Sequence, residues 1–237
     1  MNLVVFDLDG TLIDINPIDD AAFVTAFREE LGIDCTARDW SEFEFVTNTG
    51  IAGALLETLE EPLRPEALIR VRRRFFDLLE RRSASCAFRP IRGAAAFIER
   101  LPLTDWRGVI ATGCWGSSVE VKLRSSGLEG LLPFACSDGE RSREGIVSQA
   151  IALSRERHGT DFDRIVMVGD APWDVRTAAR LGLPFVGIAE ESATQRLRDL
   201  GATHFLRDFA SLDEVMSVLE SARPPGAAPG GEELRAP

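Results

Sequence analysis

Asp7 and Asp9 close the apolar run Val4-Val5-Phe6 and lead into Gly10-Thr11-Leu12. The run reads as a buried strand entering a turn, and residues i and i+2 of a strand point to the same side. Both acids can therefore face one pocket. Like charges held that close repel, so either a bound cation offsets the repulsion or one acid stays protonated. The first outcome makes a metal site; the second sets a general acid beside a nucleophile. The same Asp-Leu-Asp-Gly composition also suits a plain turn after a strand, and this segment alone does not choose.

Three more segments end an apolar run in a polar group. Val109-Ile110-Ala111 runs into Thr112-Gly113, where a hydroxyl and the next backbone N–H form a natural phosphate-binding pair ahead of a helix. Strand–Thr–Gly turns are also common for structural reasons alone. Arg143 stands at the expected start of a helix, where its guanidinium suits an anion, the nucleophile's carboxylate, or plain solvation beside Arg141. Val166-Met167-Val168 ends in Gly169-Asp170, with Asp174 four residues on. For Asp174 the competing reading is a first-turn acid favoured by the helix dipole. Together the four segments would gather carboxylates, a hydroxyl and a cation along one sheet edge. An oxygen-rich site of that kind suits a hard cation, Mg²⁺ before Ca²⁺ or zinc.

Strands alternating with helices must position these groups. Strand patterns fall at 3–6, 108–111, 133–135, 165–168, 185–188 and 204–206, and helical patterns at 117–126, 143–157, 173–181, 193–200 and 212–222. This alternation implies an α/β fold with a doubly wound, parallel, Rossmann-like sheet, whose ligands bind at the carboxyl ends of the strands. Residues 15–90 differ. Phe23, Phe27 and Leu31, then Ile51, Leu55 and Leu59, then Leu68, Val71, Phe75, Leu78 and Leu79 mark three helical faces with no competing strand signal. The expected organisation is a core of 1–14 and 91–222, an inserted helical cap domain of 15–90 over the first strand's carboxyl end, and a disordered Pro- and Gly-rich tail at 223–237.

With 38 acidic and 27 basic residues, the net charge of -11 opposes nucleic acid or an anionic membrane as partner. It leaves room for an anionic small molecule where a metal and local cations reverse the field. Four widely spaced cysteines without a CxxC pair, and two histidines, offer no zinc constellation; reduced thiols are expected. No secretory or membrane-spanning apolar run is present in the sequence, so the expected location is cytoplasmic, with the oligomeric state left open.

In these ordered motifs, Asp7-x-Asp9-Gly10-Thr11, Thr112-Gly113, Arg143 and Gly169-Asp170-x-x-x-Asp174, the chain resembles the haloacid dehalogenase superfamily, most of all its phosphoglycolate-phosphatase-like branch. The resemblance covers nearly everything but the tail, and the helical insert matches that branch's cap. It implies a Mg²⁺-dependent phosphatase for a small phosphorylated metabolite. Asp7 would be the nucleophile and form an aspartyl-phosphate, with Asp9 as acid–base. Thr112, Gly113 and Arg143 would hold the phosphoryl oxygens. Asp7, the Asp9 carbonyl and Asp170 would hold the metal, with Asp174 ligating directly or through water. Asp9 favours phosphoryl transfer, because the dehalogenases lack an acid there. One departure is Arg143, where the family usually has Lys; Lys122 is a possible substitute, though expected mid-helix and facing solvent. In the cap, 47–50 reads as substrate contact or helix N-cap, and Arg70, Arg72, Arg73 and Arg74 as an anion grip or a solvated face. Trp115 and Trp173 are expected beside the pocket. A phosphotransferase or sugar-phosphate mutase, or a binder without turnover, are the alternatives on this scaffold.

Overall fold

The first strand, β1 (Asn2–Phe6), is apolar on both faces and is the centre of the molecule. Its pleat sends Leu3 and Val5 into one apolar cluster and Val4 and Phe6 into another, all fully buried. A strand covered on both faces reads as a continuous hydrophobic run, as the sequence does here. The computed structural model describes residues 1–226 of the chain.

After β1 come β2 (Ile13–Asp14), α1 (Asn16–Leu31), α2 (Asn48–Leu56), α3 (Arg64–Ser85) and β3 (Arg89–Pro90). Then follow α4 (Ala94–Arg100), β4 (Trp106–Ala111), α5 (Gly116–Ser126), β5 (Phe134–Ala135), α6 (Arg143–His158) and β6 (Arg164–Gly169). The described chain closes with α7 (Pro172–Leu181), β7 (Phe185–Ile188), α8 (Gln195–Arg198), β8 (Phe205–Leu206) and α9 (Leu212–Ser221). Six strands form one sheet in the order β5-β4-β1-β6-β7-β8, with parallel neighbours throughout. The chain builds outward from β1 through β4 to β5, then returns to build β6, β7 and β8 on the other side. The order therefore reverses beside β1, where a doubly wound sheet opens its ligand crevice. Helices α4, α5 and α9 bury their apolar faces on the Phe6 side, and α6, α7 and α8 on the Val5 side. Phe6, Phe97 and Phe209 meet edge-on or stacked at centroid distances of 5.5–6.3 Å, tying β1 to α4 and the segment before α9.

The fold is the expected parallel α/β sheet with a helical insert. Helices α1, α2 and α3 pack together, and α3 also leans on α5. Phe23 and Phe27 of α1, Val71, Phe75 and Leu79 of α3, and Ile51 and Leu55 of α2 are buried between them, as their spacing predicts. Two features have no counterpart in the sequence expectation. Helix α4 is one, and the other is an antiparallel pair, Ile13 with Pro90 and Asp14 with Arg89, where the chain enters and leaves the insert. Two-residue strands carry no readable periodicity. The expected tail begins in ordered backbone: Phe185 N–H donates to Arg223 at 3.1 Å and Gly226 N–H to Gly201 at 3.1 Å. Its remainder lies outside the described residues. Among the described residues, no helix is long and apolar enough to cross a membrane.

Candidate active site

Asp7, Thr112 and Asp170 each follow directly on a strand, β1, β4 and β6, and the register of those three neighbours sets them side by side. The Asp7 N–H donates to the Val168 carbonyl at 2.9 Å, so β1 and β6 stay paired up to the acids themselves. Asp170 is clamped on both oxygens: Thr11 Oγ1 donates to Oδ1 at 3.1 Å and Asn16 Nδ2 to Oδ2 at 3.2 Å. Gly10, at φ +80°, is required between them. Its left-handed backbone bends the loop past Asp170, and a Cβ there would collide with that carboxylate and with Asn16.

Asp174 lies at the start of α7, fully buried, with both oxygens engaged. Oδ2 accepts from Ala171 N–H at 3.1 Å and Oδ1 from Arg143 Nη1 at 2.8 Å. The same Nη1 reaches Asp7 Oδ1 at 3.3 Å, while Arg143 Nε donates to the Val46 carbonyl of the insert at 2.9 Å. The guanidinium carbon stands 5.5 Å from the centroid of the Trp173 ring. Arg143 Nη2 has no acceptor among the described residues and lies against Gly113, where an added Cβ would come within 3.0 Å of it. Thr112 Oγ1 accepts from Cys114 N–H at 3.2 Å, which leaves its own proton to donate. A free guanidinium N–H, a free hydroxyl and a bare glycine backbone thus sit beside Asp7, the donors a tetrahedral oxyanion needs.

Asp7, Asp170 and Asp174 bring carboxylate oxygens within 4.8 Å of one another, all buried. Burial, with Asp174 next and Arg143 opposing, pushes Asp7 up to about 8. Burial and the charge of Asp7 take Asp170 to about 7. Burial also raises Asp174, to about 6, against the pull of Arg143. Three acids each unwilling to ionise beside the others form an oxygen donor set short of positive charge, and a divalent hard cation fits it.

Asp9 is less simply placed. It lines the same cavity, but its Oδ2 contacts the Lys122 ammonium and accepts from the Cys114 thiol at 3.1 Å, while Oδ1 is buried without a partner among the described residues. Lys122, expected to face solvent, is completely buried. Its helix turns Ser118, Val119 and Lys122 inward and leaves Ser117, Glu120 and Arg124 exposed. That i, i+3, i+4 relation to two buried residues was the available signal. It touches Asp9, whereas Arg143 is the cation in contact with Asp7.

The cavity, about 480 Å³, joins this floor to the insert, with Asp19, Asp20, Phe23, Trp40, Thr47 and Asn48 on the far wall. The 47–50 segment does both things open to it. Thr47 Oγ1 caps α2 by accepting from Gly50 N–H at 3.0 Å, and Thr47 and Asn48 line the cavity. Asn48 is also locked to the core: its N–H donates to Gly113 at 2.7 Å and its Oδ1 accepts from Trp115 N–H at 3.0 Å. Trp115 is buried packing, whereas Trp173 lines the cavity. Three of the four clustered arginines are ion-paired. Arg70 pairs with Glu30, Arg72 with Asp138 and Arg74 with Glu29, and none of the cluster borders the cavity.

Comparison with known proteins agrees with this architecture. A phosphoglycolate phosphatase of Rhodospirillum rubrum is 25% identical over 260 residues, 98% of this chain and 95% of that protein. The crystal structure of CbbY from Rhodobacter sphaeroides in complex with phosphate superposes with a TM-score of 0.70 at 20% identity, covering 92% of this chain and 98% of that one. A hydrolase from Pseudomonas syringae does so at 0.66, with 20% identity and the same coverage. Those structural likenesses carry the fold alone. The sequence pattern of the haloacid dehalogenase-like hydrolases matches residues 4–188, well over half of the molecule, and the chain belongs to that family.

Proposed function

We propose that the protein is a Mg²⁺-dependent phosphatase that hydrolyses a small phosphorylated metabolite through an aspartyl-phosphate on Asp7. The observation that carries this reading is the buried set Asp7, Asp170 and Asp174 beside the free donors of Arg143 and Thr112. The phosphatase relative, and the complexes of CbbY with phosphate and with xylulose-(1,5)-bisphosphate, support the substrate class. A volume of about 480 Å³ suits a metabolite.

Asp7, the Asp9 carbonyl and Asp170 would hold the metal, which when bound would supply positive charge to offset that of the nucleophile and the phosphate. Asp174 would serve the ion directly or through water, and its contact with Arg143 aims the guanidinium. Asp7 Oδ2, which accepts no hydrogen bond among the described residues, attacks phosphorus. Thr112, the Gly113 N–H and Arg143 Nη2 hold the phosphoryl oxygens as charge shifts. Asp9 gives a proton to the leaving oxygen, then takes one from the water that attacks the intermediate. Residues 15–90 act as a cap on the core of 1–14 and 91–222 and exclude bulk water during attack.

The test is release of phosphate from p-nitrophenyl phosphate and a panel of phosphorylated metabolites. Activity should vanish on chelation and return with Mg²⁺. Asp7→Asn should fall by on the order of 10⁴-fold or more, as expected for loss of a nucleophile. An Asp7→Asn enzyme with unchanged turnover would end the proposal.

A further inference from the structure

Lys122 is the most deeply buried charged side chain whose role the reaction above leaves unassigned. Its Nζ contacts Asp9 Oδ2, stands 2.6 Å from Asp19 Oδ1 and donates to Cys114 Sγ at 3.1 Å. One cation thus joins three elements: α5 of the core, the loop after β1, and α1 of the insert. Burying such a group contributes little to stability when compared with an apolar side chain of similar size, so its presence asks for another explanation.

We infer that Lys122 is the positioning residue for Asp9, and that Asp19 couples this positioning to the seating of α1. The inference rests on the reading of Asp9 as the acid–base group. Lys122 and the Cys114 thiol anchor one Asp9 oxygen, while Oδ1 is buried and has no partner among the described residues. One oxygen is fixed, and the other makes no hydrogen bond that competes with that placement. Lys122 cannot swing away to solvent, because its side chain is entirely enclosed, and among the described residues no second cation pairs with Asp9. Without it, Asp9 retains only a thiol contact and is free to change rotamer. Asp19 holds the far side of the same ammonium from the insert. Displacing α1 would remove that hold, so the acid is best placed when the insert lies against the core. The proton inventory of the reaction is unchanged: Asp9 still delivers one proton to the leaving oxygen and recovers one from water.

The test exploits leaving groups. An aryl leaving oxygen departs with little help from an acid, whereas an alkyl oxygen needs the proton. Turnover of p-nitrophenyl phosphate and of phosphoglycolate, or the best alkyl ester of a metabolite panel, is measured for the native enzyme, Asp9→Asn, Lys122→Met and Asp19→Asn. Lys122→Met should lose about 100-fold in kcat on the alkyl ester and less than about 10-fold on the aryl ester, with KM little changed, following Asp9→Asn. Asp19→Asn should show the same selectivity at several-fold. Equal losses on both esters would make Lys122 structural and overturn the inference. If Lys122→Met does not fold, Asp19→Asn decides by the same criterion. A native enzyme that turns over neither ester sinks the phosphatase reading itself, a result distinct from either.

Discussion

At the carboxyl ends of β1, β4 and β6, Asp7, Thr112 and Asp170 each sit one residue beyond a hydrogen-bonded strand. The facing wall comes from α1, the turn at 39–41 and the segment 46–51, and it contributes Asp19, Asp20, Trp40 and Asn48. On the floor, spacing is inherited from a parallel ladder in which β1 is hydrogen-bonded to a strand on each side. On the wall, spacing depends on how separate helices and loops dock. The difference teaches which part of such a molecule carries reaction class and which carries choice of substrate. On the function proposed above, chemistry stands on the rigid ladder, and selectivity on the piece that can be rebuilt around it.

The comparison breaks most sharply at Arg143, a floor residue that also grips the wall through Val46. Arg143→Ala should cut kcat by about 100-fold or more, the usual loss for a donor to developing charge. Arg143→Lys should restore part of it, since the charge returns without the fork. A loss confined to KM would move Arg143 from the chemistry to the wall.

A second measurement isolates the floor's charge. In metal-free protein the Asp7 and Asp170 carboxyls are held up near 8 and 7, against an ordinary value of about 4. The folded state then binds more protons than the unfolded one between those limits, so stability is full at low pH and is lost as pH rises toward 8. The melting temperature without metal should fall across that interval. Added Mg²⁺ should raise it, more at pH 8 than at pH 5. A flat profile with no response to Mg²⁺ would mean that the acids do not share one field.

The smallest effect belongs to the wall. Trp40 borders the cavity, and its indole N–H donates to Asp20 at 3.0 Å. Trp40→Ala should raise KM several-fold and leave kcat within about threefold, because a contact shared by ground and transition states affects binding alone. A collapse of kcat would put part of the chemistry on the insert.

The same contrast explains what the sequence shows by itself. Val4-Val5-Phe6, Val109-Ile110-Ala111 and Val166-Met167-Val168 are local apolar runs, so both the strands and the acids or hydroxyl behind them can be read from a few neighbouring residues. The partners of Asp9 cannot be read that way. Lys122 and Asp19 lie 113 and 10 residues from it, and a lone lysine amid helical polar residues is ordinarily solvated. Only its register with Ser118 and Val119 marked it as inward. The arginines at 70–74 mislead for the converse reason. Their charge was visible, but Glu29, Glu30 and Asp138, which absorb it, come from other elements. Helix α4 is a single short stretch beginning with three alanines, too short to show a helical period.

The two-residue ribbon formed by Ile13–Asp14 and Arg89–Pro90 has a wider meaning for how such a protein can change. Because the excursion departs and rejoins at adjacent points, its length is invisible to the sheet beneath. Exchanging that whole segment for another of different size would require that its two ends still meet and that its contacts with Arg143, Gly113 and Lys122 be matched. A lineage that keeps those few contacts can splice in a new segment at one doorway.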